Sequence, residues 1–299
     1  MNIKITTEKL ENKLWKNIKH RSNNEPYLDF ASNLFNGFNI EPENTFMEIH
    51  KEKPLHGQFI KKHQHIATSF KWLTSSSLTK RTISLICAAQ EQCIPTNYYK
   101  KRILKQNILE NCRLCGAHPE TSQHILSSCS VLAKNQYIER HNKIGSLIYF
   151  NILGKHGIKI NKQRHEISNV FENNDIKMIW NLPITTKTKL KSNKPDLIYI
   201  VKKHKQCTIF DFSLPWDSNI DDKYKEKVSK YLPLASEIKN LWLLKEVKIQ
   251  PIIIGCTGSL TPSMKREYEK LQLKTPVHLL QSTAVYESCK IIRSVINIE

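Results

Sequence analysis

Lys194-Pro195-Asp196-Leu197-Ile198-Tyr199-Ile200-Val201 and, after a polar break, Cys207-Thr208-Ile209-Phe210-Asp211-Phe212-Ser213-Leu214 decide how the second half of this chain folds. Both are short runs of β-branched, aromatic and aliphatic residues with polar segments on either side, the pattern of buried strands. A third such run lies upstream, Lys177 to Ile184, joined to the first by a lysine-rich loop. Downstream, residues 221–244 read as a long charged helix with an apolar stripe of Val228, Tyr231, Leu232, Ile238, Leu241 and Trp242, interrupted or kinked near Pro233. Val247 to Gly255 is a further apolar strand, and helices over 262–273 and 279–297 complete the series. Strands followed by a strand between helices give an α/β unit, with its bounds at 165–299.

The two aspartates stand out within that unit. A carboxylate inside an apolar strand is costly unless its charge is used, and adjacent strands can bring Asp196 and Asp211 to one hard cation. That is a Mg²⁺ site in outline, where a metal would activate water and offset charge on a phosphodiester while a lysine orients the nucleophile. In nucleases of the PD-(D/E)xK type the lysine lies two residues past the second acid, and here Ser213 holds that position. Lys223, Lys227 and Lys230 recur on one face of the following helix, so a lysine displaced onto that helix, Lys227 or Lys230, can serve the same geometry. By themselves the acids also fit a turn-forming Pro-Asp and a strand-end Asp. The span from Lys177 to Lys205 holds eight lysines and one acid, Asp196. Lys187, Lys189, Lys191 and Lys194 are therefore candidates to draw a nucleic-acid backbone toward carboxylates that would otherwise repel it.

The first half reads differently. Residues 1–60 are rich in Asn, Lys and Glu and poorly patterned, and 61–150 read as a helical segment. Ile66, Phe70 and Leu73 recur at helical spacing, and Leu78 to Cys93, Tyr98 to Leu109 and Val131 to Phe150 follow as helices, with a linker over 151–175. Between the last two helices lies Cys112-Arg113-Leu114-Cys115, then His124 and Cys129, a C-x2-C-x8-H-x4-C array within residues 112–129. The two-residue gap lets one tight turn, with Gly116 just after it, aim two thiolates at one ion, and the second pair closes from a short helix ending near Cys129. Four soft or borderline ligands make a closed structural Zn²⁺ site and leave no open position for catalysis. His118 is expected to be a bystander, and the other five cysteines sit in apolar contexts, as in a reducing compartment.

The chain carries 46 Lys and Arg against 27 Asp and Glu, a formal +19 over 299 residues, with the excess in both halves. Such a surface favours a polyanion, most commonly nucleic acid, although exposed lysine also serves solubility. The hydrophobic fraction of 39% excludes a wholly disordered chain. No apolar run approaches the ~18 residues that mark a spanning helix, so a soluble, intracellular chain without a membrane partner is expected. Nothing in the sequence sets an oligomeric state.

The order of these features resembles the C-terminal part of the polyprotein of non-LTR retrotransposons that carry a restriction-like endonuclease. The similar segments are Trp72-Leu73, Ala88-Ala89-Gln90-Glu91-Gln92, Thr96-Asn97-Tyr98, the Cys112-to-Cys129 array with His124-Ile125-Leu126, and Arg140-His141-Asn142. They continue with Lys194-Pro195-Asp196, Asp211-Phe212-Ser213-Leu214-Pro215-Trp216-Asp217, Glu226-Lys227-Val228-Ser229-Lys230-Tyr231 and Pro251-Ile252-Ile253-Ile254-Gly255. The resemblance implies an α+β chain: a helical segment with a CCHC zinc knuckle that handles DNA or RNA, then a PD-(D/E)xK-like domain that nicks target DNA to prime reverse transcription, in the nucleus. By position, Asp196 and Asp211 match the acids, Lys227 or Lys230 the displaced lysine, and Cys112, Cys115, His124 and Cys129 the knuckle ligands. Arg140 and His141 join the lysines as implied nucleic-acid contacts. The sequence departs from the family where Asn181 follows Trp180 in place of an acid, and it lacks the aromatic-x-Asp-Asp signature of a polymerase, so it is not itself expected to reverse transcribe.

Overall fold

The computed structural model describes residues 66–75, 77–158 and 167–296. The segment 1–60 lies outside them.

Helices come first: α1 (Ile66–Ser69), α2 (Lys71–Ser75), α3 (Lys80–Gln90) and α4 (Asn97–Arg102). Thr79 and Thr96 cap α3 and α4, each side chain accepting a hydrogen bond from the backbone N–H three residues on. A π-helical turn (His124–Ser128) and a 3-10 turn (Leu132–Lys134) lead into α5 (Gln136–Lys155). Then come β1 (Val170–Glu172), β2 (Ile176–Trp180), β3 (Leu197–Val201), β4 (Gln206–Ser213), α6 (Ile220–Leu241), β5 (Glu246–Ile253), α7 (Pro262–Glu269) and α8 (Val277–Ile296).

The five strands form one mixed sheet in sequence order, antiparallel from β1 to β4 and parallel between β4 and β5, with α6 as the crossover. The chain is thus mixed α+β, as the sequence indicates. Alternate residues of the central strands separate onto the two faces. Ile198, Ile200, Cys207 and Ile209 pack under Tyr231, Leu234, Ala235 and Ile238 of α6. Leu197, Phe210 and Phe212 pack on the other face against Ile144, Ile148 and Ile152 of α5 and residues of α7 and α8. Helix α6 runs through Pro233 without interruption; the ring lies on the exposed side while its neighbours Leu234 and Ala235 face the sheet.

A third core joins α2, α3 and the Cys/His segment to the last helix: Trp72, Leu73, Ile86, Ile125 and Leu126 meet Val285, Cys289 and Ile292 of α8. The segments read as 61–150 and 165–299 therefore share cores, α5 lying on the sheet and α8 on the Cys/His segment. The span expected as a linker instead continues α5 to Lys155 and contributes β1. Among the described residues no helix is long and apolar enough to cross a membrane.

Candidate active site and metal cluster

Register decides where the two acids fall. Leu197 stands opposite Phe210 in the β3–β4 ladder, so continuing it by one step sets Asp196 opposite Asp211. By the alternation of side chains Asp211 falls on the face of Ile209, covered by α6, whereas Asp196, one residue before β3, meets His141 of α5 at the end of the sheet, where both acids line one cleft. The backbone of Asp196 is tied down by its carbonyl, which accepts from Asn181 N–H at 2.8 Å, one step past the end of the β2–β3 ladder. Asn181 turns there with φ +50°, a left-handed conformation that asparagine tolerates better than most side chains.

Asp211 is only 2% exposed. Lys227 Nζ lies 2.7 Å from its Oδ1 and Lys230 Nζ 3.6 Å from its Oδ2, both ammonium groups coming from adjacent turns of α6. The Lys227 contact is an ion pair outside hydrogen-bonding direction, leaving Oδ1 a buried acceptor that receives no hydrogen bond. Lys223 turns away to Glu226 at 2.6 Å. Of the three lysines on that face, then, Lys227 and Lys230 reach the acid.

Asp196 is held by one oxygen. Its Oδ2 accepts from Phe212 N–H at 2.7 Å and lies 3.0 Å from His141 Nε2 on α5. Burial acts to raise the Asp196 carboxyl, but the hydrogen bond and charge of His141, the Phe212 N–H and Lys227 outweigh it and hold it below the usual carboxylate range. Burial likewise acts to lower the His141 imidazole, and the bond and charge of Asp196, aided by Asn142 and Asp211, bring it above its ordinary value. A cleft of about 340 Å³ opens over both acids, lined also by Lys194, Lys227, Lys230 and Tyr231. Burial, then the charge of Asp211, raises the Tyr231 phenol, whose O–H donates to Lys194 carbonyl at 3.2 Å. A recess of about 330 Å³ flanks the other side of the His141–Asp196 pair, between Tyr137 and Trp180.

Lys187, Lys189, Lys191 and Lys194 are exposed. Their loop is pinned to α6, since Glu237 accepts from Lys187 N–H at 2.6 Å and from Thr188 N–H at 3.2 Å. Arg140 differs from its expected place at a nucleic-acid surface: it is 2% exposed and spends its donors on Ser288 Oγ, Leu126 carbonyl and Leu214 carbonyl. Helical phase puts Arg140 on the buried side of α5 with Ile144, so it borders the cleft from beneath while the half-buried His141, next in sequence, reaches Asp196. His141 is accordingly a partner of the acidic pair. The Arg140-His141 dipeptide signals polar residues on a helix, but not which of the two faces inward.

The Cys/His segment closes as its spacing indicates. Cys112 N–H donates to His118 carbonyl and Gly116 N–H to Cys112 carbonyl, each at 2.8 Å, and Gly116 takes φ +66°. Glu120, fully buried, ties this turn to α4 by accepting from Arg113 N–H and Asn97 N–H, both at 2.8 Å, and pairing with the Arg113 guanidinium at 3.0 Å. The four candidate ligand atoms of Cys112, Cys115, His124 and Cys129 lie within 4.8 Å of one another. Cys112 Sγ and Cys129 Sγ are 3.9 Å apart, and Cys115 Sγ is 3.3 Å from His124 Nε2. A tetrahedral ion with Zn–S bonds of ~2.3 Å requires S···S edges of about 3.8 Å, so the cluster is compatible with zinc. Burial pushes the Cys112 thiol up to about 11, a bias that a bound divalent cation reverses by favouring thiolates. His118 is exposed and outside the four, its ring 5.6 Å from that of His124.

No protein-family model matches the chain, and a search of curated proteins finds no match. The functional reading rests on the residues themselves.

Proposed function

We propose that the chain is a metal-dependent, DNA-nicking endonuclease module with a structural zinc cluster, of the kind that non-LTR retrotransposons with a restriction-like endonuclease carry. The observation that supports this reading is that Asp196 and Asp211, at the ends of neighbouring strands, line one cleft with Lys227 and Lys230. The residues suit Mg²⁺ if Lys227 swings aside: Asp211 Oδ1 is a buried oxygen that holds this ion pair but receives no hydrogen bond, and the contacts of Asp196 all fall on Oδ2, leaving Oδ1. Bound there by Asp196 and Asp211, Mg²⁺ would supply Lewis-acid polarisation of the phosphate and a more acidic water.

The chain's own groups do the rest. His141 and the Phe212 N–H orient the Asp196 carboxylate. Lys227 and Lys230 balance the charge of Asp211 while the cleft is free of substrate and are placed to turn to a phosphate oxygen or to the attacking water. The exposed lysines 187, 189, 191 and 194 track the backbone of DNA on one side of the cleft.

A second reading, a nucleic-acid-binding protein without catalysis, is favoured by one specific feature: Ser213 stands where the compact motif has its lysine, and the site's charges already compensate one another. Nicking of supercoiled plasmid with Mg²⁺ separates the two. Asp211→Asn is expected to lose nicking by a factor of at least about 10² while retaining fold and DNA binding. Undiminished cleavage by that variant defeats the assignment of Asp211, and absence of metal-dependent cleavage by the unsubstituted chain favours the second reading.

A further inference from the structure

One turn of α5 touches both centres. Tyr137, Arg140 and His141 are spaced i, i+3, i+4 and so share one helical face. The Tyr137 hydroxyl donates to Ile125 carbonyl at 2.6 Å, lies 3.1 Å from His124 carbonyl and accepts from Cys129 N–H at 3.2 Å, so it holds the backbone of two of the four cluster residues. Arg140 bonds Leu126 carbonyl, between those two residues, at 2.8 Å, and reaches Ser288 Oγ at 2.9 Å and Leu214 carbonyl at 3.4 Å. Leu214 follows β4 three residues after Asp211. His141, next on the helix, holds Asp196, which in turn accepts from Phe212.

The Arg140 arrangement is expensive. A guanidinium almost wholly removed from water, with no carboxylate partner within ion-pair distance among the described residues, loses solvation that neutral carbonyls and a hydroxyl only partly replace. An apolar side chain could fill the same volume without that cost, but it could not bridge the Cys/His turn, the end of β4 and α8 from one planar fork.

We infer that the Cys₃His cluster and the acidic cleft form one mechanical unit, with Tyr137 and Arg140 as positioning residues through which closure of the cluster sets His141 and hence Asp196. The nuclease reading gives this coupling its purpose, but the coupling exists whether or not the cleft cuts DNA. Opening the cluster would release the 124–129 backbone, free the α5 turn and let the Asp196 carboxylate leave the Phe212 amide.

That amide is the reporter. Ladder pairing with β3 stops at Phe210, so the Phe212 N–H depends on the Asp196 carboxylate, whereas Ile209 lies within the paired sheet. Residue-resolved hydrogen exchange is measured on the full chain, zinc-loaded and after chelation, and on the zinc-loaded Tyr137→Phe and Arg140→Gln variants. Phe212 is expected to exchange about tenfold faster in each altered state than in the loaded parent, with Ile209 unchanged. Tyr137→Phe removes only a hydroxyl and keeps the test decisive should Arg140→Gln fail to fold. Unchanged Phe212 exchange in folded protein, or an equal acceleration at Ile209, overturns the coupling. Because plasmid cleavage is not read, a catalytically silent chain gives the same answer, and failure of the nuclease reading stays distinguishable.

Discussion

His141 and Asp196 titrate as a pair, and their opposite shifts set a pH window. The raised His141 pKa means its stabilisation is fully present below the ordinary imidazole value of about 6.5 and is lost as pH rises through the higher folded value. The lowered Asp196 pKa means its stabilisation is present above about 3.9 and is lost as pH falls through the lower folded value. The pair therefore contributes most between about pH 4 and 6.5, a contribution of about 1 kcal/mol for two partly exposed groups. Urea unfolding without added divalent cation should show His141→Asn destabilising the chain more at pH 5.5 than at pH 9.5, and a pH-independent difference would contradict the charged pair. Asp211 is paired from α6 instead, by Lys227 and Lys230.

Helix α5 offers a test of that element's approach to the sheet, because its two glycines meet opposite surroundings. A Cβ on Gly145 would overlap Trp180 Cη2 and fall 2.8 Å from Phe212 Cε2, whereas one on Gly154 would meet nothing within 4 Å. Helix propensity favours alanine at both by up to ~1 kcal/mol. At Gly145 overlap with two packed rings outweighs this, so Gly145→Ala should destabilise by about 1–3 kcal/mol and displace the helix one turn beyond His141. Gly154→Ala should instead stabilise by about 0.5 kcal/mol, and denaturant midpoints of the two variants check the opposite signs. The same helix marks how far the sequence is legible. Strands β3 and β4 could be read because β-branched and aromatic runs end at polar breaks, and the Cys₃His cluster because its spacing is a local property of one turn. Val170-Phe171-Glu172 is too short to announce a strand, and its pairing with β2 supplies the order. Proline at 233 suggested an interruption or a kink, and the helix is uninterrupted there, with Tyr231, Leu234 and Ile238 buried along it. The inward turn of Arg140 was hidden for a different reason: its acceptors are carbonyls of residues 126 and 214, and nothing in residue type records which carbonyls a fold leaves over.

Across the whole molecule, helical and sheet segments are held together by α8, whose Leu280 and Ala284 face the sheet core while Cys289 and Ile292 face the Cys/His core. The formal charge is +19, so basic groups outnumber the acids that could pair with them. What the global charge does not reveal is whether it acts diffusely or through a track, since many of the surface lysines pair with acids: Lys177 and Lys202 with Glu172, and Lys248 and Lys270 with Glu267. The loop carrying Lys187, Lys189, Lys191 and Lys194 is the sharpest local case, four exposed ammonium groups within eight positions, with Lys194 lining the acidic cleft and the Lys187 end bonded to Glu237 of α6. If those four contact phosphates, each displaces close to one condensed counterion from duplex DNA, so the slope of log K against log salt should fall by about 0.9 per lysine removed. The fourfold alanine variant is then expected to bind duplex DNA with a slope shallower by about 3 to 4, and to lose affinity more at 50 mM salt than at 200 mM. Since the substitutions lie outside every buried core, thermal unfolding should be nearly unchanged, separating lost contact from lost fold. An unaltered salt slope would show that these four lysines do not contact phosphates, and the proposed role of their loop would fall.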